Sequence, residues 1–201
     1  MTVSKLIRDF SARTKLPVDV DDIVAELKSR GVKDDIWYYW DTELDPSVMG
    51  GHIKHYKVPV GDLTRNVADI TYGKMGNEKE RLVCGKELLH ILDPERFKTN
   101  TEEGLDHLIE KMRMPPDVVD IVSDGVHALT DRFALTQALT VMFPLTARNA
   151  LKPFYDSKKL SLLYIADLAE LPPRYVGVIM SDAWDQIYAD CLTITDQLNG
   201  T

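Results

Sequence analysis

The sequence predicts an α+β fold that is mostly helical and contains one small antiparallel sheet. Three observations support this fold class: two segments with helical spacing of apolar residues open the chain, three strand-like segments follow, and helical patterns return after residue 77. The 201 residues, of which 44% are hydrophobic, fit one globular domain over 1–201. We expect residues 147–201 to form a C-terminal helical extension of that same unit.

A proline separates the first two predicted helices. Residues 3–14 place apolar side chains on one helical face, and Pro17 prevents this helix from continuing. The second helix begins behind an N-cap at Asp19 or Asp21. It ends at Gly31, because glycine readily adopts the backbone conformation that closes a helix.

Three strands are predicted next. Residues 36–40 form a β-branched and aromatic run, and residues 52–60 and 67–72 show two further strand patterns. A polar turn and the pair Gly50-Gly51 separate the first strand from the second. We expect these strands to form a small antiparallel sheet that packs on the helix after it.

That helix is well marked at both ends. Asn77 can serve as its N-cap with Glu80 three residues later, a pair that resembles a capping box, and Pro94 stops it. It contains the most informative stretch of the chain, Arg81-Leu-Val-Cys-Gly-Lys-Glu-Leu-Leu-His90.

The stretch is similar to the H-E-x-x-H helix of zinc proteases. In such a helix two histidines one turn apart bind the metal, and the glutamate between them deprotonates the metal-bound water. Here Lys86 stands at the first histidine position, Glu87 at the glutamate position and His90 at the second histidine position. A glutamate and a histidine at this spacing also occur by chance on many helices, where such a histidine is a satisfied core residue.

The rest of the chain is predicted to be helical. Residues 101–112 form an amphipathic helix, and a long helical stretch from about 117 to 142 is terminated by Pro144. Two or three further helices are expected around residues 160–171, 174–180 and 181–192.

Composition limits the classes of function. The net charge of −8 repels phosphate backbones, which argues against wholesale nucleic-acid binding. The two cysteines, Cys84 and Cys191, are too few and too far apart in sequence to imply a disulfide framework, so a reducing cytoplasm is the expected compartment. No signal peptide or membrane-spanning segment is recognisable, so no membrane partner is expected.

Four segments, in this order, resemble the ImmA/IrrE family of zincin-like metallopeptidases, and the similarity runs from about residue 16 to about residue 188. Each segment matches a family helix or motif: Leu16-Pro-Val-Asp-Val-Asp-Asp-Ile the opening helix, Arg81 to His90 the helix R-F-T-x-A-H-E-x-x-H, Asp131 to Pro144 the helix E-x-E-A-N-x-F-A-x-x-L-L-M-P, and Tyr164-Ile-Ala-Asp-Leu-Ala the closing helical pair. The aromatic strand and the Gly50-Gly51 hairpin occupy the place of the family's small sheet. The resemblance implies a zincin-like domain.

The resemblance also implies roles by position. His90 matches the second histidine ligand and Glu87 the general base, which is catalytic only if the protein is active. Asp131 matches the acidic third ligand when Pro144 is aligned, whereas Phe133 falls at the alternative acidic position.

Lys86 is the departure from the family pattern. A protonated lysine has no lone pair for a metal, so too few ligands remain for a catalytic zinc and no cofactor is expected. We interpret Lys86 as a structural charge surrogate for the lost metal, because Glu87 and Asp131 would otherwise be buried without a cation. A lysine with a depressed pKa acting as base or nucleophile is the alternative, and the neighbouring Glu87 argues against it. A solvent-facing lysine is the simplest alternative.

Other histidines offer weaker metal sites. His127 lies one turn before Asp131, so the two could face His90 and make a non-standard site, although an ordinary helix-flank histidine is favoured. His52 and His55 are three apart in an extended segment, which puts them on opposite faces.

A zincin-like domain with Lys86 at a ligand position is expected to have a non-catalytic regulatory or protein-interaction role. Active members of the family cleave repressor-type transcription factors, so the resemblance implies a protein partner of the transcriptional-regulator class. The first alternative is an active zinc-dependent endopeptidase with a non-standard ligand set. The second is a DNA-associated helical module, in which residues 161–180 would form a helix-turn-helix near a basic cluster of Arg148, Lys152, Lys158 and Lys159.

Overall fold

The computed structural model describes residues 1–45, 50–93 and 125–199. The expected α+β, mostly helical fold is confirmed, with eight α-helices and three strands in the described ranges. The helices are α1 (Val3–Ser11), α2 (Val20–Ser29), α3 (Asn77–Leu89), α4 (Gly125–Met142), α5 (Leu145–Asp156), α6 (Leu162–Ala169), α7 (Pro173–Ile179) and α8 (Trp184–Asn199). The strands are β1 (Asp35–Asp41), β2 (Gly51–Val60) and β3 (Leu63–Gly73).

The first two helices form as their sequences predict. The apolar face of α1 is buried in the core, and the side chain of Thr2 accepts a hydrogen bond from the Lys5 amide at the N-terminus of the helix. Asp19, rather than Asp21, is the N-cap of α2, and its amide donates to the Asp22 carboxylate at 3.1 Å. Gly31 has a φ of +92°, which explains why glycine is needed just after this helix.

The sheet is mixed, not wholly antiparallel as expected. Its order is β1-β3-β2; β2 and β3 form an antiparallel hairpin, whereas β1 pairs with β3 in parallel. The chain reverses direction between β1 and β2 and again between β2 and β3, so β1 and β3 run the same way. A parallel pair results because β1 takes the free edge of β3 instead of the edge of β2.

One face of the sheet packs on α3, and the closest approach is at Gly51. A Cβ atom at this position would lie 2.5 Å from Val83 Cγ1 and 2.7 Å from the carbonyl oxygen of Thr71. Ile53 and Ile70 from the same face are buried in the core. The glycines therefore let the start of β2 approach the middle of α3 closely.

The N-cap of the motif helix is one residue earlier than predicted. Gly76, with a φ of +98°, is the N-cap, and Asn77 is the first helical residue. The side chain of Glu80 nevertheless does the capping, since Oε1 accepts hydrogen bonds from the amides of Met75 at 2.9 Å and Gly76 at 3.0 Å. A 3-10 turn, His90–Leu92, follows α3, and Pro94 lies outside the described residues.

The opposite flank of α3 packs on α4. A Cβ atom at Gly85 would lie 2.6 Å from Met142 Sδ, so the two helices touch where α4 ends. Pro144 follows α4 as predicted, and the helix predicted over residues 101–112 lies outside the described residues. The two helices that the resemblance pairs are therefore neighbours.

The C-terminal part contains one helix more than expected. The sequence pattern did not predict α5, which contains Pro153 in its interior, a residue that usually argues against a helix. Residues of α6, α7 and α8 join the same hydrophobic core as α1 and α3. Within the described ranges, no helix is both long enough and apolar enough to cross a bilayer.

Candidate functional site

The centre of the candidate site is a buried ion pair on α3. Lys86 and Glu87 are only 7% and 2% exposed, and Lys86 Nζ lies 2.8 Å from Glu87 Oε1. No donor among the described residues meets Oε1 with hydrogen-bond geometry, so the contact is chiefly a charge–charge attraction. The alternative of a solvent-facing Lys86 is wrong.

The surroundings of α3 explain why both charges are buried. Val83 packs against the Gly50-Gly51 segment and Gly85 packs against Met142, so the helix is enclosed on two flanks at the level of the pair. Removing one charge from a buried pair typically costs about 3–5 kcal/mol because its partner is left uncompensated. The Glu87 carboxylate is therefore expected to depend on Lys86 for its compensating charge.

His90 follows α3 directly and is oriented by a carboxylate. Its Nδ1 lies 2.6 Å from Oδ2 of Asp93, the residue that follows the 3-10 turn at the end of the motif helix. When Asp93 accepts the Nδ1 proton in a hydrogen bond, Nε2 is the nitrogen that carries the lone pair. Carboxylates orient many metal-ligating histidines in the same way.

His52 and His55 project to opposite faces of β2, as predicted. His52 pairs with Thr71 and His55 with Ala68 in the register of β2 and β3. Burial lowers the pKa of His52 to about 4, with further lowering by the charges of Lys54 and Lys86, while Asp41 raises it. The electrostatic influence of Lys86 therefore reaches the imidazole of His52.

The remaining candidate ligands, His127 and Asp131, are placed only by their backbone. Both lie in α4, one turn apart, and their side chains are outside the described residues. Their proposed approach to His90 stays a prediction.

The described residues do not fit a zinc ion. At the first ligand position Lys86 offers an ammonium group without a lone pair, and that group is bound to the glutamate that would act as base. Across the described ranges, no three His, Cys, Asp or Glu side chains lie close enough together to hold a metal.

Arg81, at the start of the motif, connects α3 to the residues just before α2 and just after α6. Its Nη1 donates to Glu170 Oε2 at 2.8 Å and its Nη2 donates to the carbonyl oxygen of Val18 at 2.8 Å. The side chain is only 16% exposed. The position of this arginine in the motif drew attention to it in the sequence. Its partners could not be predicted, because they are far from it along the chain.

The arginine of the basic cluster expected for DNA binding is not available to a phosphate. Arg148 is buried, and its guanidinium donates to the carbonyl oxygens of Ile179 at 3.1 Å and Ser181 at 2.9 Å. Lys152 Nζ forms an ion pair with Asp182 at 2.9 Å. These two cations hold α5 against the segment between α7 and α8, so they are not a free phosphate-binding surface.

Comparisons with known protein families, with curated proteins and with solved structures find no match. The resemblance to the ImmA/IrrE family therefore stays a prediction that rests on motif order.

Proposed function

We propose that this chain is a non-catalytic, zincin-like protein of the ImmA/IrrE type that binds a protein partner without cleaving it. The observation that supports it most is the 2.8 Å ion pair between Lys86 and Glu87. A cation belonging to the chain occupies the place where the resemblance puts a metal ligand. It neutralises the carboxylate that would otherwise serve as the base.

The pair is unsuited to hydrolysis for a chemical reason. A zincin glutamate must accept a proton from a metal-bound water, and the metal makes that water acidic. Glu87 instead faces a buried ammonium group that cannot bind a metal or polarise a carbonyl as a Lewis acid. The proposal therefore assigns Glu87 and Lys86 a structural role.

The edge strand β1 supports a protein-binding role. Trp37, Tyr39 and Trp40 are each more than 40% exposed, and within the described residues β1 pairs only with β3. Protein interfaces are enriched in tryptophan and tyrosine, and a partner segment can extend a sheet at a free edge. The partner class, a transcriptional regulator, is proposed from the family resemblance alone.

Metal binding tests the proposal. We expect the protein purified without chelator to contain no stoichiometric zinc by elemental analysis. Lys86→His should create zinc binding measurable by calorimetry, because it would restore a second imidazole one turn from His90, with Glu87 between them and Asp131 as the third ligand that the resemblance implies. The matched control is Lys86→Leu, which removes the ammonium but supplies no ligand and should not bind zinc.

Two results would change the conclusion. About one zinc per chain in the parent protein, lost on His90→Ala, would favour the active endopeptidase with a non-standard ligand set. Equal and negligible zinc binding by Lys86→His and Lys86→Leu, with both variants folded by circular dichroism, would remove the chemical support for the zincin-like reading.

A further inference from the structure

A cleft of about 360 Å³ lies on the side of α3 away from Lys86. Cys84 lines the cleft, and it is separated from Lys86 by two residues, which is about 200° around a helix. The lining residues come from α2, β1, β3, α3 and the end of α6, and they include Asp21, Tyr38, Tyr72, Arg81 and Glu170. Its volume is in the range of small-molecule sites.

Two tyrosines stand side by side in this cleft. In the parallel pairing of β1 and β3, Tyr38 is opposite Ile70 and Trp40 is opposite Tyr72, so the two tyrosines are diagonal neighbours on the sheet face that packs on α3. The thiol-bearing Cys84 is buried beside them. The cleft thus has an aromatic wall and a small apolar floor.

The groups that would attract an anion to this cleft are already neutralised. Arg81 is bound to Glu170 and to the Val18 carbonyl oxygen, and Asp19 Oδ1 lies 3.8 Å from its Nη2. The backbone amides of Met75 and Gly76, just before α3, already donate to the Glu80 carboxylate. The exposed carboxylate of Asp21 at the rim adds a further negative charge.

The acid groups in the cleft have raised pKa values, first because they are buried. Burial raises the pKa of Tyr38, and the charge of Asp21 raises it further. Burial also raises the pKa of Tyr72, with Glu80 contributing, and raises that of the Cys84 thiol to about 12, with Glu87 and Glu80 contributing. The nearby carboxylates thus act in the same direction as burial, which is the larger cause.

We propose that this cleft binds a small organic cation, an alkylammonium or guanidinium group on a short apolar stem. Asp21 at the rim and the Glu80 carboxylate provide the negative charge, since Glu170 is paired with Arg81. Tyr38 and Tyr72 provide an aromatic wall, and a partly desolvated cation is favoured over aromatic rings. The cleft opens beside the first turns of α3, whereas the Lys86–Glu87 pair is buried in its last turn. Cation binding in the cleft would therefore be compatible with either a catalytic or a non-catalytic role of that pair.

Calorimetric titration with agmatine and butylammonium tests the proposal, with butylurea and butyrate as neutral and anionic probes. We expect saturable binding of the two cations, and little or none of the other two. Acetyl-arginine amide, titrated in parallel, tests whether the cation is a free small molecule or a side chain of a protein. Tighter binding of that probe than of agmatine would identify a chain-borne source.

Variants locate the site. Asp21→Asn should weaken agmatine binding about fivefold, the size expected for one partly exposed ion pair. Tyr72→Leu should weaken it about tenfold through the loss of a cation–π contact. The matched control is Asp62→Asn, which makes the same charge change in the exposed β2–β3 turn and should leave the affinity unchanged.

Three outcomes would overturn the proposal. They are no saturable binding of either cation by the parent protein, equal weakening by Asp21→Asn and Asp62→Asn, and butyrate binding as tight as butylammonium binding. The second outcome would indicate that cations bind this acidic protein without a defined site. Because the first outcome concerns the unmodified protein, the proposal remains testable if a variant fails to fold.

Discussion

The two ends of α3 use their charged groups differently. In its last turn, Lys86 and Glu87 are buried against each other. In its first turns, Glu80 and Arg81 are satisfied by backbone groups and by Glu170, and a cavity remains beside them. The end of the motif that would carry the chemistry is thus closed, while its beginning keeps an open volume.

The difference arises from what packs on each end. Glycines at 51 and 85 allow the start of β2 and the end of α4 to approach α3 closely near the ion pair. Beside the first turns of the helix, the large side chains of Tyr38 and Tyr72 line the cleft instead. A motif can therefore identify the helix without identifying which part of it is accessible.

The largest effect is expected from breaking the buried pair. Lys86→Met keeps most of the side-chain volume but leaves Glu87 without its cation, so it should destabilise the fold by about 3–5 kcal/mol in denaturant unfolding. An unchanged free energy of unfolding would show that Glu87 does not depend on Lys86.

The double variant Lys86→Met, Glu87→Gln serves as the control. It removes both charges at nearly constant volume and should recover most of the lost stability, because an amide is far less costly to bury than an unpaired carboxylate. A double variant as unstable as Lys86→Met alone would attribute the loss to packing and not to charge.

The helices and strands were predicted from the sequence better than the contacts between them. Apolar spacing located α1 and α2, and the motif located α3, because these signals are local. Apolar spacing alone left a solvent-facing Lys86 open, since α3 buries residues around most of its circumference and has no strongly polar face to compare. Only the family resemblance indicated that Lys86 neutralises a buried carboxylate. Which edge of β3 pairs with β1, and where Arg81 finds Glu170, depend on contacts between residues far apart in the chain.

A smaller effect is expected from the glycine that closes the side of the ion pair. In Gly51→Ala the new methyl group would meet Val83 Cγ1 at 2.5 Å and the backbone oxygen of Thr71 at 2.7 Å. Since backbone cannot move away easily, we expect a loss of about 1–3 kcal/mol, measured by denaturant unfolding.

Gly177 provides the comparison for this substitution. A Cβ atom there would lie 3.7 Å from Leu162 Cδ2, an ordinary contact, and Gly177 lies inside α7. Gly177→Ala should therefore be neutral or stabilising by up to about 1 kcal/mol, because alanine favours a helix. Equal losses from Gly51→Ala and Gly177→Ala would contradict a close approach of β2 to α3.

The smallest effect is expected from the titration of His52. Its pKa is about 4 in the folded protein, below the ordinary value of 6.5, first because it is buried and then because of Lys54 and Lys86. Between these two values the unfolded chain binds more protons than the folded one, so stability should fall as the pH drops from about 6.5 to about 4. Above this window His52 should make no pH-dependent contribution.

Two measurements connect this titration to the ion pair. In His52→Gln, the free energy of unfolding should depend less on pH within this window. NMR titration of Lys86→Met should show a His52 pKa above that of the parent protein, because one nearby positive charge has been removed. Lys54→Met, which removes the other cation that acts on this imidazole, should raise the pKa by more, since its influence on His52 is the larger of the two. A His52 pKa that responds to Lys54→Met but not to Lys86→Met would place the ammonium group of Lys86 too far from β2 to act on it, and would confine the influence of the ion pair to α3 itself.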